Sequence, residues 1–425
     1  MRVSKLLGCV LGLGRGVVIV SWELEEDECR VRPNLLVTVR PRADRRRRCG
    51  RCLRVAPGYD RGGRPGGWLR RWRHLDLGFA TCELTGEAPR TNCPEHGPTV
   101  AAVPWARHDT AFTRAFEDLV VWEALASNKT SAGRRHGLSW RAVDGMCVRV
   151  ATEALGRVDL LAGLVAITVD EVKYKKGQRY LTVVCDQFTG KVVWSAKGRS
   201  KDTVAAFFAA LGDERAAQLG FVSCDGAEWI RTVVAEAAPA AIITLDPFHL
   251  VKWANDALDE VRRAEWNTLR QQGQGQAAKE FKGLRWLLLR NWENLRGDQR
   301  GVIRDLARAN RRAFRAWQLK EELRDILGMG LIAARSALDH WLRFASRSRL
   351  EPFVKLARSV RHYRASIEAA IEWRLSSGIA ESVNAAIGRL RTNARGFHSA
   401  ESMIAMVMLD RAGIAPDLPW ARPAA

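Results

Sequence analysis

The sequence predicts a multidomain α/β protein: a β-rich, cysteine-bearing N-terminal region, a trio of short helices, and an α/β core interrupted by an all-α insertion. Three observations carry that reading. Residues 1–106 hold short apolar runs broken by turns, such as VVIVSWEL (17–24) and NLLVTVR (34–40). From Leu164 apolar runs of strand length alternate with helical periodicity. From about Phe248 to Arg374 the pattern is helical throughout and rich in Arg, Leu, Ala and Trp. The chain of 425 residues has room for roughly two to four domains.

Composition narrows the partner. Lys and Arg number 68 against 47 Asp and Glu, a net charge of +21, with a pI near 10.2. So basic a surface attracts polyanions, above all nucleic acid. The nine cysteines include one close pair, and their odd count fits a reducing, intracellular setting rather than a disulfide framework. Met1–Val20 is broken by Arg15 and four glycines, so neither a signal peptide nor a spanning helix is expected there.

In the first segment (1–106), C-x-x-C at Cys49 and Cys52 is followed by C-x-x-H at Cys93 and His96. Two such knuckles can close a tetrahedral Cys₃His zinc site, and the long spacer fits a zinc ribbon-like region with a β-hairpin between them. Cys82 stands alone in a strand-like run. Eight arginines lie between Arg40 and Arg54, including Arg45, Arg46, Arg47 and Arg48, and phosphate contact is the obvious use of such density. Trp68, Trp72 and His74 are expected to pack around the zinc core rather than to stack on bases.

Residues 107–160 read as a helix-turn-helix. Phe112, Phe116, Leu119, Val120 and Leu125 recur at helical spacing. A short helix Thr130–His136, a break at Gly137 and a third helix capped by Ser139 follow. Leu138, Val143, Met146 and Val150 form its apolar face. That leaves Ser139, Trp140, Arg141 and Asp144 at the end that reads base edges, unless the trio is a mere connector.

The core occupies 161–255 and 371–412, with the helical insertion at 256–370 between them and a disordered tail at 413–425. ITVD, RYLTVVCD and KVVWSAKG are strands, and DTVAAFFAALG is a helix with Asp202 as its N-cap. FVSCD, GAEWIRTVVAEA and AIITLD then give strand, helix and strand. That β-β-β-α-β-α-β order is the ribonuclease H arrangement, in which the first and fourth strands run side by side and parallel. Asp170 and Asp225 would then be neighbours at strand ends, where open α/β sheets bind ligands. A helix carrying Glu381, with Ile387 and Leu390 on its apolar face, supplies a third acid. Such a trio suits two-metal phosphoryl chemistry with Mg²⁺ or Mn²⁺. Asp246 in DPFHLVK also ends a strand. It is an alternative to Asp225, a partner of His249 in orienting the site, or simply the cap of the next helix.

Taken together, ITVDEVKYKKGQRYLTVVCD, SCDGAEW, LDPFHLVK, SGIAESVN and RTNARGFHSAES resemble the ISL-three-type insertion-sequence transposases, bacterial enzymes with a DDE active site. The knuckle pairs, RWRHLDLG and VPWARH extend the likeness over residues 1–412. The resemblance implies a zinc-binding DNA-binding region, a helix-turn-helix and a ribonuclease H-like catalytic domain. It makes Asp170, Asp225 and Glu381 the first, second and third acids. Ser382 stands where the family usually has glycine. The implied activity is binding of terminal inverted repeats, then metal-dependent strand cleavage and strand transfer. The expected partners are double-stranded DNA of element ends and target and further copies of the chain on that DNA, without a membrane, in the bacterial cytoplasm at the nucleoid. The rival readings are a non-catalytic DNA-binding descendant and a ribonuclease H-like structure-selective nuclease.

Overall fold

A computed structural model describes residues 3–26, 31–61, 69–175, 177–374 and 378–421, the Ala380 side chain aside. Trp68 and most of the loop before it lie outside those residues. The chain divides into two compact units, Met1–Val158 with Thr392–Ala425, and Asp159–Arg391.

The first unit opens with α1 (Val3–Val10), followed by strands β1 (Val17–Glu25), β2 (Asn34–Pro41), β3 (Gly58–Asp60), β4 (Leu69–Leu77), β5 (Ala80–Glu87), β6 (Arg90–Cys93) and β7 (Gly97–Val100). They form a four-stranded sheet, β1-β2-β5-β4, and a small sheet, β3-β6-β7. Period-2 alternation in β2 turns Leu35, Val37 and Val39 onto Trp72, Cys82, Leu84 and Trp105. Trp72 and His74 therefore belong to this sheet's core and not to the metal knuckles, and Cys82 is buried there too. His74 Nε2 donates to the Leu11 carbonyl at 2.8 Å, and its Nδ1 takes the Thr113 hydroxyl at 2.8 Å. Burial holds this imidazole below its usual range.

Thr113 then caps α2 (Arg114–Ala126), Asn128 caps α3 (Lys129–His136), and Ser139 caps α4 (Trp140–Leu155). Gly137 ends α3 at φ 67°, the left-handed turn expected there. Fully buried Glu117 accepts from Arg107, Arg149 and Thr110, so the trio is locked by a satisfied charge cluster.

In the second unit come β8 (Ala166–Lys175), β9 (Arg179–Asp186), β10 (Val192–Lys197), α5 (Lys201–Leu211), α6 (Asp213–Ala216), β11 (Phe221–Cys224), α7 (Glu228–Ala237) and β12 (Ile242–Leu245). The sheet order is β10-β9-β8-β11-β12. β9 and β10 pair antiparallel, while β11 runs parallel to both β8 and β12. Ile167, Val169, Val222 and Cys224 face Phe207, Ile230 and Val234 of the covering helices. Two local expectations need correction. Ser200, not Asp202, caps α5, because its hydroxyl reaches the Thr203 amide; Asp202 sits in the first turn, where its charge suits the helix dipole. And β8 does not stop at Asp170: the hairpin with β9 carries it on to Lys175, although its parallel pairing ends at Val169.

Helices α8 (Pro247–Gln271), α9 (Gly275–Gly283), α10 (Arg285–Leu289), α11 (Gly297–Ala309), α12 (Arg311–Ile326), α13 (Leu331–Ser346), α14 (Glu351–His362) and α15 (Arg364–Glu372) follow, then α16 (Gly378–Asn393). Helices α8 to α15 share a core of Leu319, Leu338, Trp341 and Phe353 that reaches Leu245 of the sheet. Trp341 is 1% exposed and donates to the Leu319 carbonyl at 2.8 Å, so this tryptophan is structural. The last helix, α17 (Ala400–Arg411), belongs to the first unit and packs on α4. Met403, Met406, Val407 and Leu409 bury it on several sides, which helical periodicity alone does not foretell.

Candidate functional site

Register assembles the acids. Cys224 pairs with Val169 on one side and Leu245 on the other, so one step further Asp225 stands between Asp170 and Asp246. All three lie just past the carboxyl end of the parallel pairing, Asp170 inside β8 as it runs on with β9. Asp170 accepts from the Glu171 amide and from the Asn384 side chain, which places α16 over that end of the sheet. Glu381 is one helical turn before Asn384, in the first turn of α16. Asp225 accepts from the Ala227 amide at 2.9 Å, and Asp246 from Phe248 at 2.9 Å, capping α8.

Burial raises the Asp246 carboxyl above its usual range; the Phe248 amide and His249 oppose the rise, while the charges of Asp170 and Glu381 add to it. Of the roles weighed for Asp246, the cap of α8 is the one its hydrogen bond from Phe248 makes. Glu171 was not among the expected site residues. Burial, then the charges of Asp225 and Asp170, push it up to about 7 against an ion pair with Arg199. Its Oε1 is buried without a hydrogen-bond partner among the described residues. Hard oxygen donors so concentrated fit a divalent cation such as Mg²⁺, although no three of these acids close to within 4.8 Å.

The turn after Asp225 is held from the helical side. A Cβ on Gly226 would lie 2.5 Å from the Trp253 indole, and Tyr363 donates to the Gly226 carbonyl at 2.6 Å. Gly226→Ala should therefore displace the Asp225 turn and cost about 1–3 kcal/mol, the range for overpacking. Urea unfolding and a crystal structure of the variant would check this; unchanged stability with Trp253 unmoved would refute it.

The two knuckles converge. Cys49, Cys52, Cys93 and His96 offer ligand atoms all within 4.8 Å of one another. Three contacts measure 3.6 Å (Cys93 to His96), 3.7 Å (Cys52 to Cys93) and 3.9 Å (Cys49 to His96). Zinc–sulfur bonds of about 2.3 Å in a tetrahedron require edges near 3.8 Å. The quartet therefore has zinc's shape and donor set. Cys93 and His96 flank the β6–β7 turn, while the spacer's β4–β5 hairpin joins the larger sheet. A hydrogen bond from His96 lowers the Cys93 thiol to about 6, favouring the thiolate a metal binds.

The DNA-reading candidates separate. Ser139 and Arg141 are exposed at the start of α4. Asp144 is engaged by Lys129 and Ser402, so it is structural rather than available. Trp140 is partly covered, edge-on to His398 with ring centroids 4.6 Å apart. His398 escaped the sequence reading, since nothing local ties RGFH to a helix more than two hundred residues upstream. The arginine run divides between two adjoining cavities: Arg45 and Arg48 line one, and Arg46 and Arg47 the other.

Comparison with known proteins agrees with this architecture. Residues 167–407 match a family model described as "Transposase", the DDE model of the ISL3 family, and residues 101–151 match the "Helix-turn-helix domain of transposase family ISL3". The chain is 42% identical to the transposase for insertion sequence element IS1557 of Mycobacterium tuberculosis, across 99% of this chain and 98% of that one. It is 29% identical to the transposase for insertion sequence element IS1001 of Bordetella parapertussis, across 72% and 75%. The chain belongs to the ISL3 family of insertion-sequence transposases. No helix among the described residues is long and apolar enough to cross a membrane.

Proposed function

We propose that the protein binds the terminal inverted repeats of an insertion sequence, cuts the phosphodiester at each end, and joins the freed 3′-OH to target DNA. Asp170, Asp225 and Glu381 are its metal-holding acids on a ribonuclease H-like core. The observation that carries this is the register pairing Cys224 with Val169, which sets Asp225 beside Asp170 one step on, near the helix of Glu381 and Asn384. When bound, Mg²⁺ or Mn²⁺ neutralises charge on the scissile phosphate and stabilises the attacking and leaving oxygens. Asn384 fixes the Asp170 carboxylate, and the Gly226 turn fixes Asp225. Asp246, buried and with a raised pKa, shapes the field rather than replacing Asp225; His249 assists by opposing its rise. Cys49, Cys52, Cys93 and His96 hold one structural Zn²⁺. Arg141 and Trp140 choose sequence, while Arg45, Arg46, Arg47 and Arg48 contact phosphates.

The test is incubation of the purified chain with DNA bearing its element's ends, with Mg²⁺, Mn²⁺ or EDTA. Cleavage leaving 3′-OH ends at the element boundary, only with metal, is expected. Sequence-specific binding without any metal-dependent cleavage would overturn the catalytic reading in favour of a DNA-binding descendant.

A further inference from the structure

We propose that the cavity walled by Arg45, Arg48 and Arg70 is a seat for a single backbone phosphate of double-stranded DNA. The inference rests on the reading of this chain as a DNA-binding protein and names where, and through which chemistry, one contact is made. The cavity measures about 410 Å³ and lies wholly within the first unit, between the Cys49–Cys52 knuckle and the segment leading into α2. That is room for a phosphodiester with its flanking sugars.

Charge decides what it takes. Arg107 and Arg114 also reach the wall, but both are already paired: Arg107 with Glu117, Asp118 and Glu153, and Arg114 with Glu153. Arg45, Arg48 and Arg70 remain. Against them stand Asp109 on the wall and Asp44, 3.5 Å from Arg45, with both of that pair largely exposed. A surface pair of that kind contributes little. The cavity therefore carries an excess of positive charge.

Arg48 points the same way. Its guanidinium donates to the Leu53 carbonyl at 3.3 Å, yet its Nε is buried and has no partner among the described residues. That Nε is sealed from solvent, so what Arg48 offers a phosphate is the planar guanidinium it brings to the cavity wall. The rear wall is rigid. A Cβ on Gly50 would meet the Val100 carbonyl at 2.4 Å and His108 Nδ1 at 2.5 Å, so knuckle and His108 are already in close contact. Arg46 and Arg47 face a different cavity, where Arg90 is held by Asp60. The four consecutive arginines thus divide into pairs with different surroundings.

The experiment is fluorescence anisotropy of the full chain on a random-sequence duplex across a range of salt, comparing wild type, Arg70→Ala and Arg48→Ala/Arg70→Ala. Each neutralised phosphate contributes about 0.9 to the slope of log Kobs against log salt. One shared seat predicts that Arg70→Ala already flattens the slope measurably, and that the double variant loses about 0.9 in total. A loss near twice that would mean two independent surface contacts, and an unchanged slope would mean no DNA phosphate sits there; either overturns the proposal. Calorimetry with inorganic phosphate separates the sources. Phosphate binding abolished in the double variant, with the DNA slope intact, would make this a free-anion site. Arg48→Lys/Arg70→Ala, with zinc content and circular dichroism as fold controls, replaces the double variant if that one unfolds. Slope and cleavage are independent readouts. A chain that never cleaves but shows the expected slopes refutes the acid assignment and leaves the seat standing.

Discussion

Asp170→Asn is expected to lower metal-dependent cleavage of element-end DNA by about 10²–10³-fold or more, the scale of deleting a preorganised charge stabiliser, while DNA affinity is unchanged. The carboxylate lies mid-strand in β8 and takes hydrogen bonds from the Glu171 amide and Asn384. Asparagine keeps the shape and loses the charge, so the fold should survive. Glu381→Gln and Asp225→Asn should behave alike, since a cation holds to its acids jointly. Asp246→Asn separates the readings. As a buried helix cap it should tolerate the change, with fold and cleavage close to wild type, because asparagine caps as well as aspartate. Comparison of single-turnover rates and binding constants across the four variants checks this. Wild-type cleavage by Asp170→Asn would refute the triad. An inactive but folded Asp246→Asn beside an active Asp225→Asn would replace Asp225 with Asp246 in it.

The second large effect concerns the knuckles. Cys93→Ser should reduce bound zinc from about one per chain to none and unfold the β6–β7 corner, because in a small site metal binding and folding are one equilibrium. The core around the quartet is little more than Cys49, Ala56 and Cys93 with Cys52 against it, too small to hold itself together. Elemental analysis and hydrogen exchange over residues 89–101 are the measurements. Full protection in that segment after metal removal would show that the hairpin stands without an ion. The second unit, with its own core, should keep its melting transition.

Much of this architecture was legible because it is local. Apolar runs ending at Val169, Cys224 and Leu245 mark three neighbouring strands. The ordered spacing of Phe116, Val120, Val143 and Met146 marks the helix trio, and all four are buried. Paired knuckles are visible from residue types and spacing alone. What escaped depends on partners distant in sequence. Asp170 continues inside a strand because β9 pairs beyond the reach of β11, and no property of Asp170 announces that. Ser200 caps α5 in place of Asp202 because its hydroxyl is the group that meets the Thr203 amide. Asp144 looked like a reading residue until Ser402 and Lys129 claimed it. How the arginine run divides between two cavities was not legible, because a linear string does not reveal that the chain bends within it, Arg47 having φ 56°.

Lys129 ties the helix trio to residues far downstream in the chain. Its ammonium is buried, and besides Asp144 it is met by the Ser402 hydroxyl, with the Trp140 and Phe397 rings on its flanks. Two of those neighbours, Phe397 and Ser402, lie far downstream and are synthesised well after it. While synthesis is under way, α4 can fold on α2 and α3, but the cation beneath it lacks half its company and α17 is absent. A truncated product ending before residue 397 would stay in that condition permanently. The helix trio is thus encoded early and completed late, because partners of its buried cation come from residues far downstream.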